Sequence, residues 1–371
     1  MELISPAGNL GRLCAFLPES FYRLGSLRAR MRTDDVEFST RFGRIFHDCL
    51  EPEVRVPWSQ ADPRLLDFEL RGLDAGVPVV ARISGCDGSS AGAVLCSFFP
   101  ELDLVPALCN ADDGWQFFAR ACAPEIARIA VRADSIVVDR ALPWQRIIAH
   151  YFLNHVMRMQ ADYAFFHAAT VSIGNRGVML SGEKGAGKST LSLALAARGH
   201  GFLGDELGTI HSGTGTMLPF PRAVSIRLGP QAQAVAHYLK HNQVERETLP
   251  DGTERLRVPV SRMFPAAAAP LPVSLTHAFF LNRVAARPQV EEFEFSWRDV
   301  QRLAPLYATL QNMPLAVRTM RLLKLFAKVR CFILSPGGTP DETADIIEAI
   351  VENKWHTASA KDQSVSVPFG G

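Results

Sequence analysis

Almost no net charge, no paired-cysteine motif and no long apolar run are found in this sequence, and each absence removes a class of function. The 39 basic and 38 acidic side chains leave a formal charge of +1. There is therefore no electrostatic case for nucleic acid or an anionic membrane as the main partner. The seven cysteines, at 14, 49, 86, 96, 109, 122 and 331, include no Cys-x-x-Cys pair. Their odd number and scatter argue against a zinc site or disulfide framework and for reduced thiols. No apolar run approaches the roughly 18 residues that a spanning helix needs. The opening MELISPAGNLGRLCAF lacks the basic and apolar regions of a secretory signal. A cytoplasmic chain is the expectation, and no repeat of fixed period is present.

What is there fits two domains. The 371 residues are 47% apolar and 21% charged, an ordinary globular balance. Residues 1–142 mix strand-like runs, VPVVARI (77–83) and AVLCSFF (93–99), with one helical stretch, VEFSTRFGRIFHDCL (36–50). They predict a small, β-rich α+β module that carries no motif. At Pro143 the texture changes. Trp144, Ile147, Ile148, Tyr151, Phe152, His155, Val156 and Met159 recur at helical spacing, which predicts a proline-started helix over 143–160. Strands are predicted over 165–173 and 177–181 around a Gly174–Asn175 turn, and again over 276–284 and 329–335. Helical patterns fill 297–328, and a closing helix spans 341–355. The expected division is a module over 1–142, an α/β catalytic domain over 143–356, and a disordered polar tail over 357–371.

The strand at 177–181 runs into GEKGAGKS (182–189), which matches G-x-x-x-x-G-K-[ST] between a strand and a helix. Gly182, Gly185 and Gly187 allow a tight turn whose backbone N–H groups face a phosphate. Glu183, Lys184 and Ala186 complete the loop, and Thr190 follows on the helix. Lys188 is expected to reach the β- and γ-phosphates of ATP, and the Ser189 hydroxyl to ligate Mg²⁺. The helix ends at Gly199. Beyond it, HGFLGDELGTI (200–210) predicts a short strand beside the loop strand, delivering Asp205 and Glu206 at its end. One acid can take a proton from an attacking hydroxyl while the other holds the metal. In an extended strand end the two side chains would point oppositely, so Asp205 and Glu206 cannot easily share one role, and the residues alone leave open which is base and which is metal ligand.

Three features at fixed spacing resemble the HPr kinase/phosphorylase superfamily. His167 stands 15 residues before Gly182, the GKST helix runs into RGH (198–200), and the acidic pair follows Lys188 at 17 residues. The loop-plus-acids logic is also similar to phosphoenolpyruvate carboxykinase. The resemblance implies a P-loop kinase domain, with Asp205 at the catalytic base position and His167 as the active-site histidine. Glu206 stands where the family has a second aspartate. FPRAVSIRLG (220–229) resembles a family segment that brings charge to the phosphates. Arg227 matches its arginine, while Ser225 replaces its metal-binding acid.

Residues 1–142 do not resemble the family's sensor domain, and the later signature loop linked to phosphorylase activity is absent. The chain thus resembles divergent HPr-kinase-related proteins of the type found beside peptide-modification gene clusters, including lasso-peptide kinases. The implied activity is ATP- and Mg²⁺-dependent phosphorylation of a Ser or Thr hydroxyl on a peptide or small protein other than HPr. A homo-oligomer stays open. Two other readings remain: a P-loop kinase of a small metabolite, and a nucleotide-dependent binding module without catalysis.

Overall fold

Along Leu27–Thr33, Leu27, Ala29, Met31 and Thr33 are buried and alternate with Arg28, Arg30 and Arg32. The two-residue period of a strand puts the first set in a core and the arginines on the opposite face. There Arg30 pairs with Asp67, and Arg32 with Asp67 and Glu69. This is the third strand of a nine-stranded sheet in the computed structural model of the chain. The structure describes residues 18–51, 65–71, 78–84, 99–107, 114–240, 244–248, 252–268, 270–303, 306–307 and 314–354. The sheet order is Leu50–Glu51, Glu19–Leu24, Leu27–Thr33, Leu65–Arg71, Val79–Ser84, Ser135–Val138, Ala127–Arg132, Gln116–Arg120, Leu104–Pro106. All neighbours are antiparallel except Leu27–Thr33 beside Leu65–Arg71.

Two helices pack into this sheet's core. Val36–Ile45 starts at Asp35, whose Oδ1 accepts from Phe38 N at 2.7 Å, and it buries Phe38 and Phe42. It stops at Ile45, and a 3₁₀ turn, His47–Cys49, replaces the rest of the stretch predicted over 36–50. The helix Trp144–Arg158 buries Ile147, Ile148, Tyr151, Phe152 and Val156 in the same cluster. The helix predicted to open the second domain thus lies against the first sheet. That cluster runs on to Phe165, Leu207 and Phe220. The strand predicted over 93–99 lies outside the described residues except for Phe99, as does the tail.

The second sheet has ten strands. Its path runs Gly201–Gly204, Ala168–Ile173, Arg176–Gly182, Val273–Leu281, Thr216–Leu218, Gly208–His211, Tyr163–Phe166, Leu306–Tyr307. Arg330–Ser335 also pairs with Val273–Leu281, and Gln289–Phe293 with Arg330–Ser335. Arg176–Gly182, Val273–Leu281 and Arg330–Ser335 are mutually parallel neighbours buried on both faces, hence their near-continuous apolar runs. On one face Val178, Leu180, Phe279 and Phe332 meet Leu191 and Leu195 of helix Lys188–Ala197 and Ile347 and Ile350 of helix Pro340–Val351. On the other, Met179, Ala278 and Phe280 meet Leu322 and Phe326 of helix Leu315–Phe326. The architecture is mixed α/β. Within 297–328 only this second pattern is α-helical; Trp297–Leu303 is a 3₁₀ segment. Among the described residues no helix is long and apolar enough to cross a membrane.

Two details of this sheet correct the expected strands. The stretch 165–173 is not one strand: it breaks at His167 into Tyr163–Phe166, seventh in the path, and Ala168–Ile173, second in it. A single residue joins strands five places apart, so the sheet must curl until they meet. Gly208, on the sixth strand, marks the closure. A Cβ there would stand 2.9 Å from Thr170 Cγ2 and 3.6 Å from Ala168 Cβ. The strand Gly201–Gly204 also does not lie beside the loop strand. The tight hairpin at 174–175 puts Ala168–Ile173 on that edge, and Gly201–Gly204 pairs with it instead.

Candidate active site

The glycine loop sits between strand Arg176–Gly182 and helix Lys188–Ala197. Gly185 and Gly187 hold φ values of 91° and 100°, left-handed conformations that disfavour a side chain. Gly182 serves differently: a Cβ on it would stand 2.8 Å from the carbonyl oxygen of Leu281 on the parallel strand. Glu183 and Lys184 are exposed on the loop, and Ala186 and Thr190 are half-buried. Lys188 is buried, and its Nζ donates to the carbonyls of Gly182 at 2.7 Å and Glu183 at 3.0 Å. Burial lowers the pKa of its ammonium, against the pull of Asp205 and Glu206.

Asp205 and Glu206 occupy the turn between the first and sixth strands of the curled sheet. His167 occupies the link between the seventh and the second. Both crossovers meet at the glycine-loop end, which is why residues far apart in the path converge. Ser189 Oγ donates to Asp205 Oδ2 at 2.7 Å. Asp205 is 2% exposed, and its Oδ1 is buried without a hydrogen-bond partner. Burial, reinforced by the Glu206 charge, pushes its pKa up to about 6, although Ser189 and Lys188 oppose the rise.

Glu206 is not on an extended strand end: its φ is 66°, in the left-handed region. The opposed geometry expected of neighbours in a strand therefore does not apply. The turn separates the two acids instead, Asp205 toward Ser189 and Glu206 toward Arg222, whose Nη1 lies 3.5 Å from Oε2. Partial burial disfavours the charged Glu206. The charges of Arg222, Arg257, His167 and Arg255 outweigh it and hold the carboxyl below its ordinary range. The half-buried His167 ring bonds to the Glu206 backbone. Burial, then the Lys188 charge, lowers its pKa, while Glu206 opposes them.

Arg227 does not join this group. It ends strand Val224–Arg227 on a separate three-stranded sheet, is exposed, and makes no hydrogen bond or ion pair to the acids, the loop or His167 among the described residues. Arg222, five residues earlier, is the arginine that reaches Glu206. In the sequence both lie in the segment 220–229, and the family match favours Arg227 instead. Ser225 accepts from Arg255 Nη1 at 3.2 Å. The RGH triplet serves the scaffold. Arg198 donates to Asp341, Asp345 and Glu348, and the His200 ring lies 2.6 Å from Glu348, clamping the loop helix to the closing helix. Cys49 and Cys331 are buried free thiols and Cys122 an exposed one; the other four cysteines lie outside the described residues. Among the described residues no three His, Cys, Asp or Glu side chains form a metal cage.

Comparison with known proteins agrees with the residue pattern. The chain is 38% identical over 88 residues to HPr kinase/phosphorylase of Nitrosomonas europaea, a stretch covering 24% of this chain and 27% of the relative. It is 31% identical over 86 residues to that of Burkholderia lata, covering 23% and 26%. It thus spans about a quarter of the length of the curated relatives it matches. The solved structure "Structure of the Hpr(Ser) kinase/phosphatase from Coxiella burnetii" matches at 15% identity and a TM-score of 0.26, over 51% of this chain and 89% of that one. No family model matches.

Proposed function

Because this chain is related to the HPr kinase/phosphorylases, we propose that it is a phosphotransferase passing the γ-phosphate of ATP to a hydroxyl. One observation carries the reading: the loop serine and the buried Asp205 are joined at 2.7 Å beside Lys188. A phosphate loop alone binds nucleotide. A loop whose serine is bonded to a carboxylate with a free, buried oxygen has the parts for transfer.

The residues fit Mg²⁺. This small cation favours oxygen donors, binding through one or two carboxylates together with substrate phosphates. Ser189 Oγ, the orphaned Asp205 Oδ1 and the half-exposed Glu206 are such donors. In our assignment Ser189 and Glu206 hold the ion. The ion would supply positive charge to the nucleotide's phosphate oxygens. Lys188 would exchange its loop carbonyls for the β- and γ-phosphates. The loop amides from 182 to 190 would cradle the phosphate chain at the helix N-terminus. Asp205, with a pKa raised to about 6, is suited to accept the proton of the attacking hydroxyl near neutral pH. His167 would orient substrate or phosphate. Arg222 offers positive charge beside Glu206, and Arg227, the family-matched arginine, would act from the rim.

For the acceptor we propose a Ser or Thr hydroxyl on a peptide or small protein. The relatives' name joins kinase activity to a protein acceptor, while residues 1–142 do not resemble their sensor domain. The test is incubation with Mg·ATP and serine-containing peptides encoded near its gene, read by mass spectrometry for a phosphate adduct. Free sugars and amino acids run in parallel. A phosphopeptide with background turnover of metabolites is the expected result. Robust phosphorylation of a metabolite would replace the peptide reading, and no transfer at all would leave only a nucleotide-binding role.

A further inference from the structure

The first sheet's core reaches the site through one short turn. Phe46, just after the helix Val36–Ile45, is 1% exposed, and the Arg222 guanidinium carbon stands 5.4 Å from the centre of its ring. The chain on both sides of Phe46 is tied to the segment that carries Arg222. The carbonyl of Ile45 accepts from Ala223 N at 2.8 Å, and the Cys49 thiol donates to the Pro221 carbonyl at 3.6 Å. Asp48 Oδ2 accepts from Val260 N at 2.7 Å and Ser261 N at 3.2 Å. Arg41 and Arg257 share the Glu247 carboxylate, at 3.1 and 2.6 Å, so the far edge of the small sheet is held from the same helix.

Arg222 itself is poorly anchored by polar contacts. Its ion pair with Glu206 is long, at 3.5 Å, and its Nε is buried without a hydrogen-bond partner. An arginine is usually fixed by a fork of donors, and here that fork is incomplete. Among the described residues, what remains to orient the guanidinium is the flat face of Phe46, to which a cation is attracted. We infer that Phe46 is a positioning residue: its ring holds Arg222 against Glu206 and so sets how firmly that acid is presented to the metal. Residues 36–49 are then a wall of the catalytic site rather than part of a detached module.

The inference rests on the nucleotide reading, and binding measurements separate the two. The Mg²⁺ concentration giving half of the ATP-induced rise in melting temperature is measured for wild type and for Phe46→Leu, Phe42→Leu and Arg222→Lys. Leucine keeps most of the buried volume and removes the ring face. Phe42 is the control: its ring lies 4.4 Å from Phe46 in the same core. The expected result is a roughly three- to thirtyfold higher Mg²⁺ requirement for Phe46→Leu. Phe42→Leu should lose comparable stability with less than a twofold change. Arg222→Lys, which keeps the charge but not the plane, should match Phe46→Leu, and combining them should add no more. It also supplies the answer should Phe46→Leu fail to fold. Equal shifts in Phe46→Leu and Phe42→Leu, or a wild-type requirement in Arg222→Lys, overturn the inference while the nucleotide reading stands. Absence of any Mg·ATP effect on wild type overturns both.

Discussion

The two large sheets of this protein use the same building block for opposite ends. In the first, neighbours are antiparallel with one exception, and strands such as Leu27–Thr33 and Val79–Ser84 sort their residues by face. The arginine row of Leu27–Thr33 with Asp67 and Glu69 lies on the side away from the apolar core. In the second, the central parallel strands are covered on both faces, and Ala168–Ile173 has no exposed residue. That sheet carries its polar groups at strand ends and crossovers instead, and there His167, Asp205 and Glu206 collect. A sheet with a polar face can dispense with special ends. One buried on both sides has only its ends and its curl available for chemistry.

Substitutions in the two sheets should therefore differ in kind. The largest effect is expected at the crossover. Asp205→Asn keeps shape but removes the proton acceptor, so transfer should fall by roughly 10²–10⁴-fold while nucleotide still binds. Glu206→Gln should mainly raise the Mg²⁺ needed for half activity, since an amide is a poorer ligand for a hard cation. Steady-state rates under metal titration check both, and reversed phenotypes would exchange the two roles.

Next comes Lys188→Ala. At ATP a hundredfold above its dissociation constant, wild type should gain about 2.7 kcal/mol of stability. The variant should fold and gain none, which a thermal-shift titration reads directly. Equal stabilisation would remove the loop from the nucleotide site.

A smaller contrast separates the two arginines. Arg222→Ala, which frees Glu206 from its partner, should weaken Mg·ATP binding by about tenfold, equivalent to about 1.4 kcal/mol. Arg227→Ala, exposed and without a contact to the acids among the described residues, should change it by less than about twofold. Calorimetric titration decides, and the opposite ranking would favour the family-matched arginine.

The smallest effect belongs to the first sheet. Arg30→Ala removes a partly exposed pair with Asp67 and should cost about 0.2–1 kcal/mol in denaturant unfolding, with nucleotide affinity unchanged. A loss of affinity would mean that the polar face of that sheet is coupled to the site after all.

Legibility in the sequence followed the range of the interactions involved. The loop, its strand and its helix were readable because strand, turn and helix signals are local and consecutive. The helix Trp144–Arg158 was readable from its period, but its packing partner was not, because Phe42 and Phe68 lie 110 and 84 residues upstream of Phe152, which they meet. The break at His167 was hidden: FFHAATVSI is uniformly strand-like, and only pairing with two separate partners divides it. Glu206 in the left-handed region was likewise invisible, since glutamate carries no turn signal as glycine or asparagine does. Arg222 could not be ranked above Arg227 until Phe46 and Glu206 were seen on either side of it.

The clamp at Arg198 has a consequence for the order in which the protein is made. Its carboxylate partners on the closing helix lie between 143 and 150 residues downstream. The parallel neighbour of the loop strand, Val273–Leu281, is also far along the chain. A nascent polypeptide emerging from the ribosome therefore exposes its glycine loop long before it can latch the helix behind it. The first sheet's strands can assemble as they are synthesised, while the clamp on the loop helix must wait until translation has passed Glu348.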